Sequence, residues 1–156
     1  FFDASPKGLN AVRGGTQKFS NRMILQVQKS TQTTLPTGDV VKFQEVVRLP
    51  DSSNFEPCYD ASTGLFTCPS GGLVNVTIRA ALSMASGAAA DTSEVHVLRN
   101  GATVFQRRAV GPGAEVTYTI PVLLEGDTVA VRVHSGPARA LDNTVGTYLQ
   151  VTASRY

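Results

Sequence analysis

Few side chains in this sequence have the type and spacing for chemistry. Cys58 and Cys68 are its only thiols, set on either side of the turn residues Asp60-Ala-Ser-Thr-Gly64. A hairpin centred near Thr63 would set Cys58 opposite Cys68 and allow a disulfide between strands, provided the α-carbons lie close enough. The other reading is two buried free thiols, since a free cysteine packs like a small apolar residue. A zinc site needs a closer cysteine pair or neighbouring histidines, and the sequence has neither. His96 and His134 are the only histidines available as a general base. Both fall on the outward phase of alternating segments, where a surface histidine accounts for each. Neither G-x-S-x-G nor H-E-x-x-H occurs. Asp51, Asp60, Asp127 and Asp142 stand in turns, where carboxylates gather around calcium but where aspartate is also ordinary turn chemistry. The expectation is no enzyme, no catalytic or metal residue and no cofactor.

Two further groups are candidates for surface roles. Asn75-Val76-Thr77 is a formal glycosylation sequon whose Asn side chain would point outward from a strand. Arg79 and Arg107-Arg108 form either a basic recognition patch or a solvated strand face.

The elements that would position these residues are strands. Segments 22–29, 40–47, 73–84, 93–99, 102–108, 115–122, 127–134 and 147–153 alternate apolar and polar residues with period two. Val129, Val131 and Val133 share one face in the seventh of these, and Val116, Tyr118, Ile120 and Val122 share one in the sixth. Pro36-Thr-Gly38, Ser62-Thr-Gly64, Pro69-Ser-Gly71-Gly72, Asn100-Gly101 and Glu125-Gly-Asp127 punctuate them. Asn100-Gly101 is a hairpin signal, because both central positions of a type I′ turn need positive φ. Short strands separated by such turns, with no helical pattern between them, specify a sandwich or a barrel.

Composition narrows the function classes. At 156 residues the chain has the length of one domain with one hydrophobic core. Charged residues make up 17% and the net charge is +2, with Lys and Arg scattered, so no basic stripe marks a nucleic-acid surface. The run AALSMASGAAA at 80–90 is interrupted by Ser and Gly and falls short of the ~20 residues a membrane span needs. Residues 1–21 have no sustained period and read as an N-terminal arm outside a domain at 22–156.

Several spaced motifs carry a resemblance. Tyr59-Asp60, Thr63-Gly64-Leu65-Phe66-Thr67-Cys68-Pro69 and Gly72-Leu73 resemble a run in the globular heads of the complement first-component q-subcomponent family, relatives of the tumour necrosis factors. Val41-Lys42-Phe43, Val97-Leu98-Arg99-Asn100-Gly101, Leu124-Glu125-Gly126-Asp127-Thr128-Val129 and the closing segment Val145 to Leu149 extend it over roughly residues 22–153. Two positions depart from the pattern: Leu73-Val74 replaces an aromatic, and Thr147 stands where the closing strand has glycine. The resemblance implies an all-β, antiparallel jelly-roll sandwich of about ten strands whose monomers associate as homotrimers. The collagen-like stalk of secreted members has no counterpart in the arm, which lacks a Gly-X-Y period.

The resemblance also extends to phage and viral capsid proteins. Together with an arm carrying Phe1, Phe2 and Phe19 as apolar anchors, it leads to the expectation of a virion protein. Such a protein would decorate or cement the capsid, or form a head fibre, and its arm would dock on the major capsid protein or another virion subunit. The alternatives are a secreted recognition head that binds a receptor or carbohydrate through loops 85–93 and 135–143, and a structural capsid subunit.

Overall fold

Alternation along the chain becomes ten strands. They are β1 (Arg22–Gln28), β2 (Glu45–Val47), β3 (Tyr59–Asp60), β4 (Leu65–Thr67), β5 (Leu73–Ser83), β6 (Thr92–Arg99), β7 (Ala102–Val110), β8 (Gly113–Leu123), β9 (Thr128–Ser135) and β10 (Tyr148–Arg155). In this computed structural model of the chain, the described residues are 22–30, 39–47, 58–83, 92–110, 113–135, 141 and 146–155. The arm with Phe1, Phe2 and Phe19 lies outside them, as do Asp51, Asp142 and most of loops 85–93 and 135–143.

The strands form two five-stranded antiparallel sheets, in the orders β2-β1-β10-β5-β8 and β3-β4-β9-β6-β7. Each sheet turns one face inward. Met23, Leu25 and Val27 from β1, Val129, Val131 and Val133 from β9, and Leu149 and Val151 from β10 meet there almost wholly shielded from water. Hydrophobic burial of this kind, about 25 cal/mol per Å² of apolar surface, is the main force holding the sheets together.

Segment 40–47, which alternates like one strand, divides between the sheets instead. Val40 forms a single bridge with Arg132 of β9, and the Val41 N–H donates to the Val131 carbonyl at 2.8 Å, while Val46 pairs with Val27 of β1. The chain crosses the core between these points, leaving Val41 and Phe43 buried. The Phe43 N–H therefore has no ladder partner, and it donates to the buried Tyr59 hydroxyl at 2.8 Å.

A second departure lies in β5. Thr77 pairs with Thr152 of β10 but Val74 pairs with Ser154, so β5 holds one extra residue, and Asn75 has φ of +51°. This bulge turns both Val74 and Asn75 outward. On the other flank Val122 pairs with Val74 and follows it out to 38% exposure, while Leu123 pairs with Leu73 and is buried. Val122 therefore does not share the face of Val116 and Ile120, as the alternation had it, because of a phase change that both strands share.

Asn100 and Gly101 both have positive φ, at +52° and +82°, and Arg99 pairs with Ala102 across them, as a two-residue type I′ turn requires. Thr147 replaces the expected glycine at no cost in hydrogen bonds. Its buried hydroxyl accepts from the Ser83 N–H at 3.0 Å and donates to the Ser83 carbonyl at 3.3 Å.

Candidate functional site

The β3–β4 register places the two thiols. Tyr59 pairs with Phe66 and Asp60 with Leu65, so the hairpin is centred between Ser62 and Thr63. Continuing it one step sets Cys58 against Thr67 rather than Cys68. Both cysteines are free thiols, Cys68 buried and Cys58 half-buried. Burial pushes both thiols up from their ordinary range, and for Cys68 the Asp127 charge adds to the effect. The Cys68 thiol donates to the Leu123 carbonyl at 3.4 Å. Neither is an activated nucleophile, which needs a lowered pKa.

His96 is on the outward phase but is not a surface residue, being only 7% exposed. Its ring is covered by side chains from both neighbouring strands. Arg132 of β9 donates to Nδ1 at 3.1 Å and to the Thr103 hydroxyl of β7 at 2.9 Å, while Nε2 faces a Glu94 carboxylate oxygen at 3.2 Å. These partners assign the tautomer: Nε2 carries the proton and Nδ1 accepts. Thr103, His96 and Glu94 line up like a nucleophile, base and orienter, but a permanent cation already occupies the base's lone pair. Glu94, held low by its bond to His96 and then by Arg108, completes a structural polar cluster. His134 stands opposite Glu94 in the backbone register of β9 and β6.

Asp60 and Asp127, the two of the four turn carboxylates that lie among the described residues, point into their own turns. Asp60 accepts from the Ser62 N–H at 2.8 Å and the Ser62 hydroxyl at 2.6 Å, which lowers its pKa. Asp127 accepts from Arg99 at 2.7 Å, from the Asn100 amide at 3.0 Å and from the Leu124 N–H at 3.1 Å, bringing its carboxyl down to about 2. Asn100 in turn accepts from the Thr128 N–H at 2.9 Å, so the corner joins the hairpin turn to the start of β9. Among the described residues no three His, Cys, Asp or Glu side chains gather in metal-binding geometry.

The arginines do not form one patch. Arg79 pairs with Glu115 and Arg108 with Glu94, each at 3.4 Å. Among the described residues Arg107 has no ion-pair partner; it lines a groove of about 600 Å³ at the open corner between β7 and β8, with Ala81, Ala109, Ala114 and Tyr148 among its other walls.

A surface feature that the sequence did not single out is the outer face of the β2-β1-β10-β5-β8 sheet. One row across it reads Ile24, Thr152, Thr77, Thr119, and the next reads Gln26, Gln150, Arg79, Thr117. The polar groups bond within the face: Thr77 to Thr119 at 3.0 Å and Gln150 to Gln26 at 3.3 Å. Its one central charge, Arg79, is paired with Glu115. The signal was present in the outward phases of the strands, but it becomes a surface only once strand order brings those phases side by side.

No protein-family model matches the chain, and no curated protein matches it. Solved structures do. The crystal structure of murine APRIL at pH 8.5 superposes with a TM-score of 0.62 at 15% identity, covering 85% of this chain and 98% of that one. Eiger TNF from S. frugiperda superposes with a TM-score of 0.57 at 14% identity, covering 85% and 92%. The fold is a tumour necrosis factor-like jelly roll. At these identities the likeness concerns the fold, and the expectation drawn from the Tyr59-Asp60 and Asn100-Gly101 motifs holds at that level.

Proposed function

We propose that the chain is a non-enzymatic structural protein that assembles as a homotrimer through the outer face of the β2-β1-β10-β5-β8 sheet. The observation that carries this reading is the neutrality of that face. Burying an unpaired charge against a partner is costly, and depletion of charge at the centre is what marks an association surface. Here the central side chains are Thr, Gln and Ile, and Arg79 brings its own carboxylate.

Within that reading the specific assembly is a virion capsid decoration, cement or head-fibre protein, with residues 1–21 docking on a capsid subunit. Supporting it are the jelly-roll fold and an arm with apolar anchors at Phe1, Phe2 and Phe19. The step from fold to virion is an analogy. Deleting residues 1–21 tests it: binding to intact capsids is lost while the trimer stays folded, and retained binding overturns the arm's role. A second reading, a secreted recognition head, is favoured by the exposure of Asn75 in its sequon. A glycan at Asn75 in secreted material would decide for it.

A further inference from the structure

Asn100-Gly101 is the only Asn-Gly pair in the sequence, and such a pair carries a reaction of its own. The Gly101 amide nitrogen attacks the Asn100 Cγ and gives up its proton to solvent. The Cγ–Nδ2 bond then breaks, and the departing nitrogen takes up a proton and leaves as ammonia. Water opens the resulting succinimide at either carbonyl, leaving aspartate or isoaspartate. One water is consumed and one ammonia released, and no oxidant or enzyme is required. Glycine favours the attack because no side chain shields its nitrogen. Gly101 is exposed, and a β-carbon built on it would meet nothing within 4 Å.

The folded corner opposes that attack. Asn100 Nδ2 donates to Asp127 Oδ1 at 3.0 Å, and Asn100 Oδ1 accepts from the Thr128 N–H at 2.9 Å, so both ends of the carboxamide are bonded to the corner that opens β9. Asp127 is itself anchored by Arg99 at 2.7 Å and by the Leu124 N–H at 3.1 Å. The backbone is fixed as well. Asn100 and Gly101 hold φ of +52° and +82°, and the Asn100 N–H donates to the Thr128 carbonyl at 2.9 Å. Attack needs the side chain and the Asn100–Gly101 peptide to rotate towards each other, and a misplacement of about 1 Å from reacting geometry costs about a hundredfold in rate.

We infer that Asn100 is a latent deamidation site, kept intact by Asp127 and the Thr128 N–H, and that its conversion unties the β6–β7 hairpin from β9. Aspartate at this position exchanges the Nδ2 donor for a carboxylate oxygen facing Asp127, and the two like charges then share Arg99. Isoaspartate routes the main chain through Cβ and adds an atom to a two-residue turn, which the Arg99–Ala102 pairing does not accommodate. The change is covalent, so refolding does not reverse it.

The test incubates the full chain in mildly alkaline buffer and follows residue 100 by peptide mass spectrometry and an isoaspartate assay. Native wild type is expected to deamidate at least about tenfold more slowly than the same chain unfolded in urea, and folded Asp127→Ala to lose most of that protection. Tyr59→Phe, destabilised away from the corner, should stay as slow as wild type. A folded Asp127→Ala as slow as wild type overturns the assignment. So does a Tyr59→Phe as fast as Asp127→Ala, since general unfolding would then be the route. If Asp127→Ala does not fold, Arg99→Ala takes its place by removing the cation that anchors Asp127; a faster rate supports the clamp and an unchanged one overturns it. Asn100→Asp, made directly, reads the consequence: hydrogen exchange at the amide of residue 100 is expected to quicken by about tenfold, and unchanged exchange overturns the untying.

Discussion

The hydroxyl of Tyr59 accepts a 2.8 Å hydrogen bond from the backbone N–H of Phe43, joining the β3–β4 hairpin to the segment that crosses between sheets. The bond is buried, so its loss strands an N–H that water cannot reach. Tyr59→Phe is therefore expected to cost about 1–3 kcal/mol in equilibrium unfolding.

The same phenol predicts an alkaline limit. Burial pushes Tyr59 up to about 12 from an ordinary value of 10.0. Because the folded value is the higher one, folding favours the neutral phenol. Its contribution is whole below about pH 10 and is lost as pH climbs towards 12, on the order of 3 kcal/mol. Urea midpoints for wild type and Tyr59→Phe should converge over that interval; a constant gap would contradict the account.

A β-carbon on Gly64 would lie 2.5 Å from the Val41 carbonyl oxygen and 2.8 Å from Val40 Cγ1, and its φ is +78°. Space and backbone both forbid a side chain there. Gly64→Ala should cost more than about 3 kcal/mol. Gly71, with φ of +91° and nothing within 4 Å of its added β-carbon, is the control: Gly71→Ala carries only the backbone strain, about 1–2 kcal/mol. Equal losses in thermal unfolding would show that the Val41 contact is unimportant.

These positions mark what the sequence made legible. Gly64 and Asn100-Gly101 were readable because positive φ restricts residue type, and the strands because alternation reports which side faces the core. The split of 40–47 was not, since two short pairings to different sheets alternate like one continuous strand. Nor was the burial of His96. Its outward phase was correct, but the cover comes from Arg132 and Thr103 on neighbouring strands, which only the strand order brings near. The thiols depended on a single step of register around Thr63, which turn composition does not fix.

Asp127 predicts an acid limit. Its folded value of about 2 lies below the ordinary 3.8, so the stability it contributes is present above pH 3.8 and lost as pH falls through the folded value. Asp127→Asn should destabilise the protein at neutral pH and flatten the unfolding profile between those limits. An acid limb as steep as that of wild type would assign the effect to other carboxylates.

Cys58 and Cys68, free and raised by burial, should alkylate slowly in the native protein. Iodoacetamide at pH 8 is expected to modify both fully only after denaturation, with two thiols recovered without reductant. Recovery of none would show a disulfide.

Self-association through the neutral sheet face is measured most directly by native mass from light scattering, comparing wild type with Thr152→Arg. Thr152 lies mid-face between Ile24 and Thr77, so the variant buries an unpaired charge in any assembly using that face while leaving the core untouched. The account predicts close to three times the 16.5 kDa chain mass for wild type and a folded monomer for Thr152→Arg. A monomeric wild type, or a variant that still trimerises, would contradict it.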